Sequence, residues 1–514
     1  MPPDFSAVFK NGPSLPFLPM KRLAWLCAAL LLLVFVGRDF VVATTFLGDD
    51  YIFRAFARLV RNPLVAFVVD QHGGEYYRPI PMVLWWALER LGRGSVWPFA
   101  ASAFLLHGTC AVLLGVVAHG VGASRRVAGL AIALFFVAPA QREAALWFSA
   151  STDLIAAAAM LGSMVGLLST RPSGRTVSLL FAGVAFFSKE TGLVLPLLVG
   201  SICWYRHQPS GRQSKALVRQ IATAMVPYFA IAAGYLLARY AVLHGMGGSN
   251  DLRAPFWAVG IQMLGGAMHA VSSYSPLPEW SAWVVGGSGL AAAAIVLRRS
   301  RLAAVAALWS VLALLPLPAA GWVVGARYFY FSAMGLTLLL ALALEKAKAW
   351  LPALVMVVLL ALGVAATNRR SLEIQLYRQV VAAAGSAVAD GVAKGTRLFL
   401  VRGSVKDLDL AIKLDRAAPT ALRDAVAISD VPASFIWLPQ VDADRLRFLF
   451  ADPPLPPSGA YHFAGERIVG LARREEAPDL DEVMARLPDL RIIRLKLDAH
   501  PVSWEDTTAE YLPR

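Results

Sequence analysis

Long apolar runs dominate the chain as far as Ala366 and are separated by short polar or basic stretches. A helix needs about 20 apolar residues to cross a bilayer, so each run predicts a membrane-spanning helix. The predicted spans are Leu23–Thr45, Pro98–Val121, Val127–Pro139, Leu154–Leu168, Val177–Tyr205, Ile221–Val242, Ser281–Leu297, Leu302–Val324, Tyr328–Leu344 and Trp350–Ala366. The run Val177–Tyr205 is interrupted at Ser188–Gly192, so it predicts either one kinked helix or two short helices joined outside. We favour the second alternative, which gives about eleven spans in total. With two helices here, the basic loop before this run and the basic loop after it lie on the same side of the membrane.

Basic residues cluster in alternate loops. The main groups are Arg125 and Arg126, Arg171 and Arg175, Arg206–Arg219, Arg298–Arg301, and Lys346 and Lys348. Because Lys and Arg are retained on the cytoplasmic side, we expect a cytoplasmic N-terminus in an integral membrane protein. An odd number of spans then places residues 367–514 outside, in the periplasm if the membrane is a bacterial inner (plasma) membrane.

Two longer external segments are too polar to cross the membrane as a whole. The first, residues 46–97, is expected to contain an interfacial helix at Pro81–Leu91, and the second, residues 244–280, a surface helix around Phe256–Ala270. Both belong to a predicted transmembrane catalytic domain of residues 1–366.

The tail, residues 367–514, is charged and punctuated by prolines. Its opening, Ser371–Ala393, has the pattern of an amphipathic helix. Predicted strands follow at Arg397–Val401, Ser434–Leu438, Arg445–Phe450 and Leu490–Leu497. The fold class that we predict is therefore a polytopic α-helical membrane protein with a C-terminal soluble α/β domain outside the cell membrane.

The composition agrees with a membrane protein and changes how the net charge is interpreted. Hydrophobic residues make up 57% of the 514 residues, charged residues only 16%, and the mean hydropathy is +0.58, which excludes a soluble enzyme. The formal net charge of +14 would suit nucleic-acid binding if the basic residues formed a patch. Since they lie between apolar runs instead, we expect no nucleic-acid partner.

Ionisable residues beside the spans all fall on the external side of this topology. They are Asp49, Asp50, Arg78, Glu143, Asp153, Lys189, Glu190 and Arg327. A charged group near the membrane is expensive unless it pairs or faces water, so such residues are functional candidates. A carboxylate of the Asp49-Asp50 pair suits a general base that takes a proton from a hydroxyl. Three converging cations, Arg78, Lys189 and Arg327, suit the binding of a lipid-linked phosphate.

Structural alternatives stay open for each group. Asp49 and Asp50 are also typical of a helix cap, and a divalent cation at this pair is a further alternative. Arg78, Lys189 and Arg327 are equally compatible with structural ion pairs to Glu143, Asp153 or Glu190.

The order of these motifs resembles the C-type glycosyltransferases (GT-C superfamily), with greatest similarity to the O-mannosyltransferase-like branch and a more distant one to bacterial aminoarabinose transferases. The motifs are the acidic pair, Tyr77-Arg78-Pro79, Glu143-Ala-x-x-Trp-x-Ser-x-x-x-Asp153, Ser188-Lys-Glu-Thr-Gly192 and Arg327-Tyr-x-Tyr330. The similarity spans roughly Leu23 to Leu344. That branch includes transmembrane mannosyltransferases that carry TPR repeats, whereas the tail of this chain shows no TPR pattern. The chain also reads Ala138-Pro139-Ala140-Gln141 at a position where the branch often has His-Pro.

The resemblance implies roles for individual residues. Asp49 or Asp50 would activate the acceptor, and Arg78, Lys189 and Arg327 would bind the donor phosphate. The substrate contacts would come from Tyr77, Glu143, Asp153, Glu190 and Tyr328.

The resemblance implies a glycosyltransferase that moves a sugar from a polyprenyl-phosphate donor to an acceptor hydroxyl with inversion, in contact with membrane lipid and at the external face. The acceptor is a protein, a lipid or a glycan. Two other hypotheses remain: a transporter or flippase of lipid-linked sugars, and a non-catalytic partner in envelope assembly.

Overall fold

The structure is a computed structural model that describes residues 46, 50–70, 76–138, 141–206, 215–245, 300–316, 326–393, 398–403, 434–439, 448–449, 471–472, 490–496 and 503–506. Asp49, the predicted spans Leu23–Thr45 and Ser281–Leu297 and the predicted surface helix Phe256–Ala270 lie outside the described residues.

The described part of the chain is mainly helical. The α-helices are α1 (Asp50–Leu59), α2 (Pro79–Gly92), α3 (Trp97–Gly120), α4 (Arg125–Val137), α5 (Arg142–Leu146), α6 (Ser151–Leu168), α7 (Gly174–Phe186), α8 (Leu195–Arg206), α9 (Lys215–Leu243), α10 (Arg301–Leu312), α11 (Tyr330–Ala343) and α12 (Trp350–Ala393). Short 3₁₀ helices occur at Pro63–Phe67, Phe148–Ala150, Glu190–Val194 and Ala326–Phe329.

Among the described residues, three stretches of helix are long and apolar enough to cross a membrane: Trp97–Gly120, Phe148–Leu168 and Leu217–Leu243. Shorter apolar helices coincide with other predicted spans, namely α7, α10, α11 and the first part of α12. Together with the apolar composition, these helices describe an integral membrane protein. The total of about eleven spans stays a prediction, because two of them lie outside the described residues.

The long run Val177–Tyr205 forms two helices, as the second alternative predicted. Helix α7 ends at Phe186 and α8 begins at Leu195. The chain turns back sharply between them, and a Cβ atom at Gly192 would lie 2.8 Å from the backbone oxygen of Ala185. Glycine is therefore required at this turn, which presents Lys189 and Glu190 at one end of the bundle.

The two ends of the bundle differ in their chemistry. At one end, the basic turn after α3 lies beside the turn after α6, where a Cβ atom at Gly120 would touch Leu168. Arg126 also donates to the backbone oxygen of Ala347 at 2.7 Å, which brings the turn between α11 and α12 to the same end. The segments that carry the predicted site residues lie at the opposite end.

Helix α12 continues across the predicted boundary between membrane domain and tail. The span Trp350–Ala366 and the amphipathic helix Ser371–Ala393 were expected to be separate, but they form one helix of 44 residues. At 1.5 Å per residue this helix is about 66 Å long, roughly twice the thickness of the hydrocarbon core. The sequence contains no Gly or Pro between Gly363 and Gly385, so nothing in it interrupts the helix.

The strands after α12 are β1 (Leu398–Gly403), β2 (Ser434–Pro439), β3 (Phe448–Leu449), β4 (Leu471–Ala472), β5 (Leu490–Lys496) and β6 (Ser503–Asp506). Four form a sheet in the order β2-β1-β5-β6, in which β1 is parallel to β2 and β5 while β6 is antiparallel to β5. Strands β3 and β4 form a separate antiparallel pair. Strands β1, β2, β3 and β5 lie at the predicted positions, whereas β4 and β6 were not predicted. A separate α/β domain of residues 367–514 stays a prediction.

Candidate active site

Lys189 and Asp153 form a buried ion pair. Asp153 lies in the first turn of α6, and Lys189 directly precedes the 3₁₀ helix Glu190–Val194. The Lys189 Nζ atom lies 2.6 and 2.5 Å from the two carboxylate oxygens of Asp153, and each side chain is only 5% exposed. Because both charges are withdrawn from water, the geometry of the pair is strongly constrained.

Glu190 binds two arginines from different helices. The Arg78 Nη2 atom, at the start of α2, lies 2.7 Å from Oε2, and the Arg239 Nη1 atom, near the end of α9, lies 2.6 Å from Oε1. Burial alone would raise the pKa of Glu190, but the charges of Arg78 and Arg239 outweigh burial and lower that pKa to about 2. Burial alone would lower the pKa of Arg78, yet the charge of Glu190 raises it. The cluster of two arginines and one carboxylate has a net positive charge.

Glu143 holds the segment that carries Arg327. One carboxylate oxygen accepts from the backbone N–H of Arg327 at 3.0 Å, and the other accepts from its Nη1 at 2.9 Å. The guanidinium also stacks over the ring of Trp147, 4.0 Å from the ring centroid. Helix α5 therefore fixes both the backbone and the side chain of Arg327.

Tyr328 connects these ion pairs. The Lys189 Nζ atom and the Arg327 guanidinium carbon each lie 4.7 Å from the centroid of the Tyr328 ring. The phenol oxygen accepts from the Arg327 Nη2 atom at 3.4 Å. Lys189 and Arg327 thus meet at one tyrosine ring, and Arg78 is bound to Glu190, the residue that follows Lys189.

Asp50 begins α1 and is fully buried. Its Oδ1 atom accepts from both the backbone N–H and the hydroxyl of Ser149, each at 2.6 Å. This contact joins the first external segment to the segment that provides Glu143, Trp147 and Asp153. The structure thus brings Asp50 to the site, while the choice of base between Asp49 and Asp50 remains a prediction.

Tyr77 lies beside Arg78 but points into packed protein. Its hydroxyl donates to the backbone oxygen of Phe67 at 2.9 Å, its ring stacks on that of Tyr235, and it is 2% exposed. These contacts assign it a packing role, and a substrate contact through Tyr77 stays a prediction.

Two residues of the site were missed by the sequence analysis. Arg239 lies inside a predicted span, where an ionisable residue is itself a signal of function. Ser149 lies within the quoted Glu143–Asp153 motif, but nothing in a serine's identity indicates an aspartate partner 99 positions away.

The part of the chain that the structure describes contains no cluster of side chains suited to a metal ion. Within those ranges, no group of three His, Cys, Asp or Glu side chains is placed to hold a metal ion. Asp49 lies outside the described residues, so the divalent cation at Asp49 and Asp50 stays a prediction.

The fold and the site together define a polytopic helical membrane protein with a charged, ion-paired site at one end of its bundle. The fold is similar to that of ArnT from Cupriavidus metallidurans bound to undecaprenyl phosphate, with a TM-score of 0.51 and 13% identity over 91% of this chain and 92% of that chain. The apo state of the same protein gives a TM-score of 0.47 and 13% identity over 92% and 93% of the two chains. No family model matches the chain, and no curated protein matches it. At 13% identity this similarity shows an ArnT-like fold, which is in line with the predicted resemblance.

Proposed function

We propose that this protein is an integral-membrane glycosyltransferase that transfers a sugar from a polyprenyl-phosphate donor to an acceptor hydroxyl. The observation that carries the proposal is a cluster of three cations in an ArnT-like fold, each paired with a carboxylate: Lys189 and Arg327 lie at the ring of Tyr328, and Arg78 binds Glu190, the neighbour of Lys189. Such a cluster can hold an anion at the end of a membrane-embedded bundle, which is where the head group of a lipid-linked sugar would lie.

The donor phosphate is the anion that this cluster suits best. The related structure holds undecaprenyl phosphate, which is the product that a polyprenyl-phosphate sugar would leave after transfer. Arg239 joins the three predicted cations as a phosphate-binding candidate, because it shares Glu190 with Arg78. Arginine presents a planar fork of donors to phosphate oxygens, and lysine adds a compact charge.

The reaction requires a base and stabilisation of the leaving group. A carboxylate of Asp49 or Asp50 takes the proton from the acceptor hydroxyl while the hydroxyl oxygen attacks the anomeric carbon. The bond from that carbon to the phosphate oxygen breaks, and the phosphate leaves with the electron pair. The cations stabilise the developing negative charge, and a single displacement inverts the anomeric configuration.

The positions of the basic turns support the external face as the side on which this chemistry occurs. Basic turns gather at the end of the bundle opposite the site, and basic loops are retained in the cytoplasm. We therefore propose a bundle of about eleven helices with a cytoplasmic N-terminus, a site facing the periplasm and the tail on the same side as the site. Helix α12 begins at the basic end and connects to the strands, which supports this placement of the tail.

The direct test is sugar transfer by the purified full-length protein. Incubation with radiolabelled short-chain polyprenyl-phosphate sugars and hydroxyl acceptors should give a labelled acceptor. Arg327→Gln and Lys189→Met should abolish transfer, and Asp49→Asn or Asp50→Asn should identify the base. Arg171→Gln, in the basic turn at the other end, is the matched control and should retain wild-type turnover.

Two outcomes would contradict the proposal. Full turnover in both aspartate variants would remove the base from the mechanism. Movement of the labelled donor between leaflets of a proteoliposome without any transfer would indicate a flippase. Adding EDTA to the same assay tests the proposed divalent cation at Asp49 and Asp50, since turnover should fall only if the cation takes part.

A further inference from the structure

The amide of Gln141 is buried without a hydrogen bond. The residue is 1% exposed, and in the region that the structure describes neither its Nε2 nor its Oε1 atom has a hydrogen-bond partner. A buried polar group left unsatisfied costs about 1–3 kcal/mol, and this side chain has an unsatisfied group at each of its two polar atoms. Folding alone gives no reason to keep glutamine at this position, where an apolar side chain of similar size would be more stable.

Gln141 lies at the start of the segment that builds the candidate site. Its backbone N–H donates to the oxygen of Ala138 at 3.1 Å, just after α4 ends. Helix α5 begins at the next residue, and Glu143, two positions further, binds Arg327. A buried polar group without a partner needs an explanation, and a role in the reaction, in which a bound group supplies the missing bonds, is one.

The chemistry of the amide selects the kind of ligand. Its oxygen accepts and its nitrogen donates, so complete satisfaction needs groups that do both. A phosphate only accepts hydrogen bonds and would leave the Oε1 atom unsatisfied. A sugar hydroxyl both donates and accepts, and neighbouring hydroxyls on one ring match the two ends of an amide.

We propose that the Gln141 amide binds hydroxyl groups of the sugar that is transferred, and that it therefore contributes to sugar selectivity. This inference rests on the proposed function and adds to it a contact for the sugar, distinct from the cations assigned to the phosphate.

The test replaces Gln141 with methionine, which has a similar length and cannot form these hydrogen bonds. Removing unsatisfied groups should leave the thermal unfolding temperature equal to the wild-type value or higher. The KM for the sugar donor should rise about tenfold, which corresponds to about 1.4 kcal/mol of lost binding. Trp309→Phe is the matched control. The indole Nε1 of Trp309 is also buried without a partner among the described residues, but Trp309 lies in α10, away from the Gln141 segment. Its replacement should leave the KM for the donor unchanged.

A second measurement separates a sugar contact from a structural role. Wild-type protein should discriminate between short-chain polyprenyl-phosphate sugars and the monodeoxy analogue that lacks the recognised hydroxyl, and Gln141→Met should lose this discrimination. Gln141→Asn keeps the amide but withdraws it by one methylene, and it should lose the discrimination in the same way. This variant replaces Gln141→Met in the test if Gln141→Met does not fold.

Two results would overturn the inference. Unchanged KM and unchanged discrimination in folded Gln141→Met would mean that the amide binds buried water only, while transfer by the wild-type protein would still support the proposed function. Absence of transfer by the wild-type protein with every donor and acceptor would refute the proposed function, and the sugar contact with it.

Discussion

The ion pair of Lys189 and Asp153 gives the sharpest prediction, because its two members can be removed separately or together. Both side chains are 5% exposed and they touch at 2.5–2.6 Å, so each charge depends on the other for compensation. In Asp153→Asn the lysine charge stays buried without its carboxylate. Breaking a buried pair in this way costs about 3–5 kcal/mol, which lowers the folding equilibrium constant by about 150- to 4,000-fold.

The double variant Asp153→Leu/Lys189→Met separates stability from function. Replacing a buried pair by apolar residues of similar volume is often neutral or stabilising, so the free energy of unfolding should return to the wild-type value or exceed it. Sugar transfer should stay absent, because the proposed phosphate-binding lysine has been removed. The unfolding of each variant is measured in mixed detergent micelles, and transfer is measured in the same preparations.

Two results would refute this reasoning. If Asp153→Asn is as stable as the wild type, the pair is hydrated and its burial has little energetic weight. If the double variant folds and also transfers sugar at the wild-type rate, Lys189 has no role in binding the donor.

Three further predictions concern other parts of the molecule. The pKa of Glu190 is lowered to about 2 in the folded state, against about 4.3 in the unfolded state. The stabilising contribution of its carboxylate is therefore present above a pH of about 4.3 and is lost as the pH falls to about 2. The unfolding temperature of Glu190→Gln should lack this dependence on acid. Ser149→Ala removes the hydrogen bond that the Ser149 hydroxyl donates to the buried Asp50 and should reduce the free energy of unfolding by about 1.5–3 kcal/mol in a detergent titration. Gly335→Ala places a methyl group against α10, which should cost about 1–3 kcal/mol of stability and lower the unfolding temperature. Gly129→Ala has open space at its Cβ atom and should not lower the unfolding temperature.

The helical positions were predictable because membrane solvation acts locally. Each apolar run must bury its backbone hydrogen bonds within itself, so hydropathy alone places a helix such as α3 or α9 to within a few residues. The end of α12 was not predictable in this way. A polar sequence after Ala366 shows that the helix leaves the apolar phase, but a helix without a breaker can continue into water, as α12 does to Ala393.

The sequence singled out most of the charged residues that the structure brings together, but it did not predict how they pair. The high energy of charge near a membrane singled out Arg78, Lys189 and Arg327 from their surroundings. Which carboxylate each one binds depends on how distant helices pack, and the chain separates Arg327 from Glu143 by 184 positions. Arg239 was missed because the apolar residues around it predicted a span and masked the charge.

The pairing itself bears on how the site would accept a phosphate. Lys189 and Arg327 are held by Asp153 and Glu143, which are nearly inaccessible, whereas Glu190 is 23% exposed and shares its charge between two arginines. An arriving anion is attracted most strongly where positive charge is in excess and water still reaches it, which is at this arginine pair. The buried pairs hold Lys189 and Arg327 at the ring of Tyr328, so in the proposed reaction these two cations would be in position before the donor arrives. Electrostatic stabilisation of a leaving phosphate depends on such prior positioning, because cations that need not reorganise stabilise developing charge most effectively.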